Sequence, residues 1–107
     1  SVLNDKNYSF WLVMHELAHA EDNAELMGQI NDFYKLASQE KYNFMAFTAS
    51  GASEIDAFKH KHNALYNFAS VDNIVLKTMI RSNPGIMKIE NGTVKNMWHW
   101  RQFNEEE

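Results

Sequence analysis

Apolar residues along this chain alternate between dense runs and helically spaced stripes. Phe10-Trp11-Leu12-Val13-Met14 is an unbroken apolar run, and Tyr8 to Met14 predicts a strand buried on both faces. From Asn23 to Ser38 the period changes, and Leu26, Met27, Ile30, Phe33, Tyr34 and Ala37 form one stripe of an amphipathic helix. Asp22 and Glu25 have the spacing of a capping box for that helix. Phe44 to Thr48 predicts a second strand, and Ser50-Gly51-Ala52-Ser53 a turn whose serines cap a short helix from Glu54 to His60. Leu65 to Ala69 reads as a third strand, and Asp72 caps a helix carrying Val75, Leu76, Met79 and Ile80. Pro84 cannot donate to a sheet ladder and stands just before a strand from Gly85 to Ile89. Asn91-Gly92 suits the positive φ angles of a type I′ turn, which leads into a last strand from Thr93 to Trp100.

The order is β-α-β-α-β-α-β-β. Strands alternating with helices predict an α/β fold with a mostly parallel sheet, helices on both faces and an antiparallel C-terminal β-hairpin. The 107 residues make one domain, with 104–107 expected as a solvated, disordered tail. An apolar content of 45% argues for an ordered core rather than a disordered chain. A formal charge of −4 with an acidic end gives no basic surface for nucleic acid. The apolar run at Phe10 is too short to span a bilayer, and no signal-peptide pattern is visible. Both ends are abrupt, which suggests a domain excised from a longer protein. The composition includes no cysteine, so thiol–disulfide chemistry is excluded and the redox compartment cannot be read.

The β-α alternation with Pro84 opening the hairpin resembles the thioredoxin superfamily, in the branch of the peroxiredoxins and TlpA-like proteins. Phe58-Lys59-His60-Lys61-His62-Asn63-Ala64-Leu65-Tyr66-Asn67-Phe68 looks like the helix–strand insertion of that branch, with Asn67 in place of its middle proline. The run Leu76-Lys77-Thr78-Met79-Ile80-Arg81-Ser82-Asn83-Pro84-Gly85 is more specific, as are Asn91-Gly92-Thr93-Val94 and Trp98-His99-Trp100. With the lead-in Tyr8-Ser9-Phe10-Trp11-Leu12-Val13, they resemble the C-terminal thioredoxin-like domain of bacterial DoxX-type membrane proteins. The likeness covers roughly residues 3–103. It implies a thioredoxin-like fold, a tether to the membrane through a parent chain, on the periplasmic face, and a soluble fragment here. It also implies a cis Asn83–Pro84 bond, where the superfamily docks a polypeptide through backbone groups beside the first helix. Arg81, next to this loop, could bind an anion or lie across the surface.

Two departures from the family pattern bear on function. Where the family carries Cys-x-x-Cys at a helix N-terminus, about His15 to Asn23, this chain offers His, Glu, Ala and Asp but no sulfur. The usual closing helix is missing or very short. The resemblance therefore implies a redox-inactive, non-enzymatic module without a cofactor, acting in interaction or regulation. A protein or peptide is its expected partner, and a peptide- or ligand-binding module at the Asn83–Pro84 loop is an alternative reading.

His15-Glu16-Leu17-Ala18-His19 is a literal H-E-x-x-H, in which two histidines one helical turn apart bind zinc and Glu16 acts as general base. This is the competing enzymatic reading, a small zinc-dependent peptidase. Three features weigh against it. The strand from Tyr8 runs directly into His15, too little chain precedes the motif to build a substrate-holding sheet, and Asp22 and Glu25 stand where a metzincin has glycine and histidine. Elsewhere, His60-Lys61-His62 reads as solvated surface, because i and i+2 diverge on a helix. His99 is expected on the opposite strand face from Trp98 and Trp100, which share a packed face. The six methionines read as core. Ser50, Ser53 and Ser82 stand at turn or cap positions with no His–Asp partner pattern.

Overall fold

Strand β1 (Tyr8–Val13) is apolar on both sides because it is the middle strand of a five-stranded mixed sheet. The computed structural model describes residues 8–17, 24–80 and 84–106. After β1 come α1 (Ala24–Gln39), β2 (Asn43–Thr48), α2 (Ala52–His62), β3 (Asn67–Ser70) and α3 (Asn73–Met79). The hairpin β4 (Gly85–Glu90) and β5 (Thr93–His99) and a final helix, α4 (Trp100–Glu106), complete the described elements. The sheet order is β3-β2-β1-β4-β5, with β1, β2 and β3 parallel and β4 and β5 antiparallel to their neighbours. The architecture is α/β.

Side-chain alternation splits the interior into two layers. Phe10, Leu12, Phe44, Ala46 and Ile86 share the face covered by α1, α2 and α4, through Ile30, Phe58, Trp100 and Phe103. Val13, Met87 and Ile89 occupy the other face with Leu76 and Ile80, beside half-buried Trp11, Phe47 and Met79. The strand register enforces this split: Leu12 is opposite both Ala46 and Ile86, and Trp11 is opposite both Met45 and Met87. Helices cover both faces, as expected. Burial pushes the Tyr66 phenol well above its ordinary pKa, so it packs as a neutral group against Phe44 and Tyr34.

The helix ends differ from the sequence expectation for identifiable reasons. The serines do not cap α2. Its N-cap is Gly51, whose N–H donates to the Glu54 carboxylate at 3.0 Å. The helix also runs on to His62, because Asn63 takes the left-handed conformation (φ 54°) and Ala64 N–H donates back to the Lys59 carbonyl. The third strand therefore starts at Asn67 rather than Leu65, and Leu65 is 63% exposed. Asp72 caps α3 as expected, its Oδ1 accepting from Ile74 N–H at 2.7 Å. Asn91 (φ 52°) and Gly92 (φ 82°) both have the positive φ of the I′ turn.

The last strand stops at His99, and Trp100 begins a helix rather than ending a strand. A short helix of seven residues therefore follows the hairpin, and it takes in most of the segment expected as a solvated tail. Trp98 and Trp100 meet through that helix, each packing on Phe103. His99 Nδ1 accepts from Arg101 N–H at 3.1 Å. His62 is not plain solvated surface: its ring packs on Phe58 at 4.7 Å, and its Nε2 is buried without a hydrogen-bond partner. Met97, expected in the core, is 55% exposed on the edge strand β5. The expected cap at Asp22 lies outside the described residues.

Helix α1 ends in a Schellman motif. Lys41 N–H donates to the Ser38 carbonyl and Tyr42 N–H to the Ala37 carbonyl, with Lys41 left-handed at φ 64°. A lysine there has a Cβ that disfavours this conformation, whereas glycine adopts it freely. Lys41→Gly is expected to raise stability by about 0.5–1 kcal/mol in chemical denaturation, without altering the fold.

Candidate functional site

In an open α/β sheet the crevice outside the carboxyl ends of the parallel strands is the natural binding position, at the point where the strand order reverses. Here the chain steps outward from β1 to β2 and β3, then returns to lay β4 on the other side of β1. The reversal is at β1, so the candidate site is its carboxyl end, where residues 14–16 are loop. Val13 pairs with Gly85, which sets Pro84 alongside Met14. The site's two sides are thus the β1 loop and the Pro84 loop.

Three short polar side chains hold this end together. Thr48 is fully buried; its Oγ1 donates to the His15 carbonyl and accepts from Ser50 N–H, each at 3.2 Å. The same His15 carbonyl accepts from Ala49 N–H at 2.9 Å. Ser50 Oγ accepts from Leu17 N–H at 3.1 Å, and Ser70 Oγ donates to the Ser50 carbonyl at 2.8 Å. These bonds tie the loops after β1 and β2 and the end of β3 into one unit. They satisfy backbone groups that the strand ladders leave open.

His15 reaches across to the other side. Its Nε2 donates to the Ile80 carbonyl at 3.2 Å, which requires the tautomer protonated at Nε2. Ile80 itself is buried and packs against Gly85 so closely that a Cβ on Gly85 would come within 2.7 Å of Ile80 Cδ1. On the far side, Trp100 N–H donates to the Pro84 carbonyl at 2.9 Å, so α4 steadies the proline loop. Pro84 is half-buried.

Of the residues expected here from sequence, Pro84 and His15 are brought together at this edge. Glu16 is exposed next to them. Asn83, Arg81, Ser82 and the Asn83–Pro84 bond lie outside the described residues, as does His19. The zinc motif needs both histidines on a helix, but His15 is in the loop after β1. Its Nε2 is also turned to a backbone carbonyl. Among the described residues no group of three or more His, Asp or Glu side chains is gathered to hold a metal ion. Also among the described residues, no helix is long and apolar enough to cross a membrane. Sequence reading did not anticipate the roles of Thr48 and Ser70: a hydroxyl at a strand end gives no signal of the long-range partner it will find.

Compared with known proteins, the sequence matches no model of a protein family and no curated protein.

Proposed function

We propose that this chain is a redox-inactive, thioredoxin-like binding module that takes an extended peptide or protein segment at the carboxyl end of β1, beside Pro84. The observation that carries the reading is one juxtaposition. A parallel β1-α1-β2 unit stands beside an antiparallel hairpin; Gly85, next to the hairpin's opening proline, pairs with Val13, and His15 in the loop that leaves β1 donates to the Ile80 carbonyl. The reading is supported by its resemblance to the arrangement in which the thioredoxin superfamily docks polypeptides, with a helix, α4, after the hairpin. The absence of cysteine removes thiol exchange. By the same resemblance the module is carried on a DoxX-like membrane protein, where it would act in interaction or regulation. Fold likeness alone does not give function, so the site has to be tested directly.

The test is a random-peptide selection against the purified domain, followed by affinity measurement with Asn83→Ala. Enriched peptides that lose at least about ten-fold in affinity to the variant, at unchanged melting temperature, are the expected result. Failure to enrich any sequence, or enriched peptides indifferent to Asn83, would overturn the reading.

A further inference from the structure

The opposite end of the sheet carries a second feature, independent of the Pro84 edge. A cleft of about 330 Å³ opens between the C-terminal turns of α1 and the amino ends of β1 and β2. It is lined by Phe10, Phe33, Leu36, Ala37 and Tyr42, with Lys88 and Glu40 as its charged groups. Its aromatic wall is fixed in place. Phe10 meets Phe33 edge-on at 5.0 Å, and Tyr42 packs on Phe10 at 5.8 Å and on Tyr8 at 5.5 Å.

Lys88 is the residue that needs explaining. It occupies an inner strand on the face covered by α1, opposite Phe10 on one side and Asn96 on the other. Ile86, the preceding residue on that face, is fully buried. Lys88 is half-buried, and its ammonium lies over the Tyr8 ring at 4.2 Å. Among the described residues no carboxylate pairs with it, although Glu40 lines the same cleft. A cation set against aromatic walls favours an anion that shares its partly dry surroundings. The cleft thus has one positive and one negative residue among its apolar lining. A few convergent polar groups over aromatic walls are the usual make-up of a small-molecule site.

We infer that this cleft binds a free hydrophobic α-amino acid. The carboxylate meets Lys88, the ammonium meets Glu40, and the apolar side chain lies on Phe10, Phe33 and Tyr42. A zwitterion answers both charges, whereas a simple fatty or aromatic acid would leave Glu40 facing a like charge.

The experiment is an amide-shift titration of the ¹⁵N-labelled protein with phenylalanine, N-acetylphenylalanine and phenylalaninamide. The expected result is saturable shifts for phenylalanine centred on Phe10, Leu36, Tyr42 and Lys88, with weaker binding of both derivatives. Lys88→Met, which keeps the apolar stem, should weaken phenylalanine by about ten-fold or more, and Lys88→Arg should retain most of the affinity. Glu40→Gln, at an exposed position, should weaken it by roughly three-fold and remove the preference over N-acetylphenylalanine. Spectra of the variants that match the parent outside the cleft establish that each is folded. No saturable shift with phenylalanine, shifts centred elsewhere, or equal affinity in Lys88→Met would overturn the inference. Equal binding of N-acetylphenylalanine by the parent protein would overturn the assignment to a free amino acid.

Discussion

Replacing Trp100 with alanine is expected to cost about 3–5 kcal/mol of folding stability, the range for deleting a large buried aromatic side chain. Trp100 is 1% exposed, and it joins three parts of the molecule. Its ring packs edge-on against Phe33 of α1 at 5.9 Å and at a tilt against Phe103 of α4 at 5.5 Å. Its Nε1–H donates to Gln29 Oε1 at 3.1 Å, and its backbone N–H donates to Pro84. Alanine keeps only the last of these. A domain of this size is stable by about 5–15 kcal/mol, so the loss is about a fifth of the total or more. Urea denaturation should show a lower midpoint with little change in slope. Trp100→Phe keeps most of the apolar bulk and loses the indole hydrogen bond, so a cost nearer 1–2 kcal/mol is expected. Equal losses in the two variants would mean that the hydrogen bond to Gln29, not packing, is the main contribution.

Thr48→Val is expected to cost about 1–3 kcal/mol although the two side chains have nearly the same shape. The hydroxyl is fully buried, donating to the His15 carbonyl and accepting from Ser50 N–H. Valine fills the space but leaves Ser50 N–H, in a buried residue, without that acceptor. The His15 carbonyl still has Ala49 N–H, so the donor side of the loss is partly covered. Thr48→Ser restores both bonds and loses one methyl group, and it should recover more than half of the deficit. A valine variant as stable as the parent would show that the hydroxyl bonds do not hold the candidate site together.

Elements with a strong period were legible in the sequence. The stripe from Leu26 to Ala37, the apolar run of β1 and the Asn91-Gly92 turn each follow from local chemistry, and each forms where expected. Together they gave the α/β class and the mixed sheet. What could not be read were outcomes decided by distant partners. Ser50 is a good cap residue by composition, but Leu17 N–H claims its hydroxyl and Glu54 satisfies Gly51 instead. Trp100 continues the alternation of β5 in sequence, yet the Pro84 carbonyl and the Phe33–Phe103 cluster draw it into a helix. His62 is on a polar-looking run, but α2 extends far enough to press it on Phe58. In the candidate site, Pro84 and His15 were visible as residue types. The hydroxyl network that holds the His15 loop was not, because its partners are 33 residues apart between Leu17 and Ser50 and 20 between Ser50 and Ser70.

The most direct test of the proposed function is an amide-shift map of the ¹⁵N-labelled domain with its tightest selected peptide. A footprint on His15, Glu16, Leu17, Ser50, Gly51 and Gly85, with the Phe10–Tyr42–Lys88 cleft silent, is the predicted result. A footprint centred on that cleft, on the exposed face of α3, or spread evenly over the surface would contradict a binding edge beside Pro84.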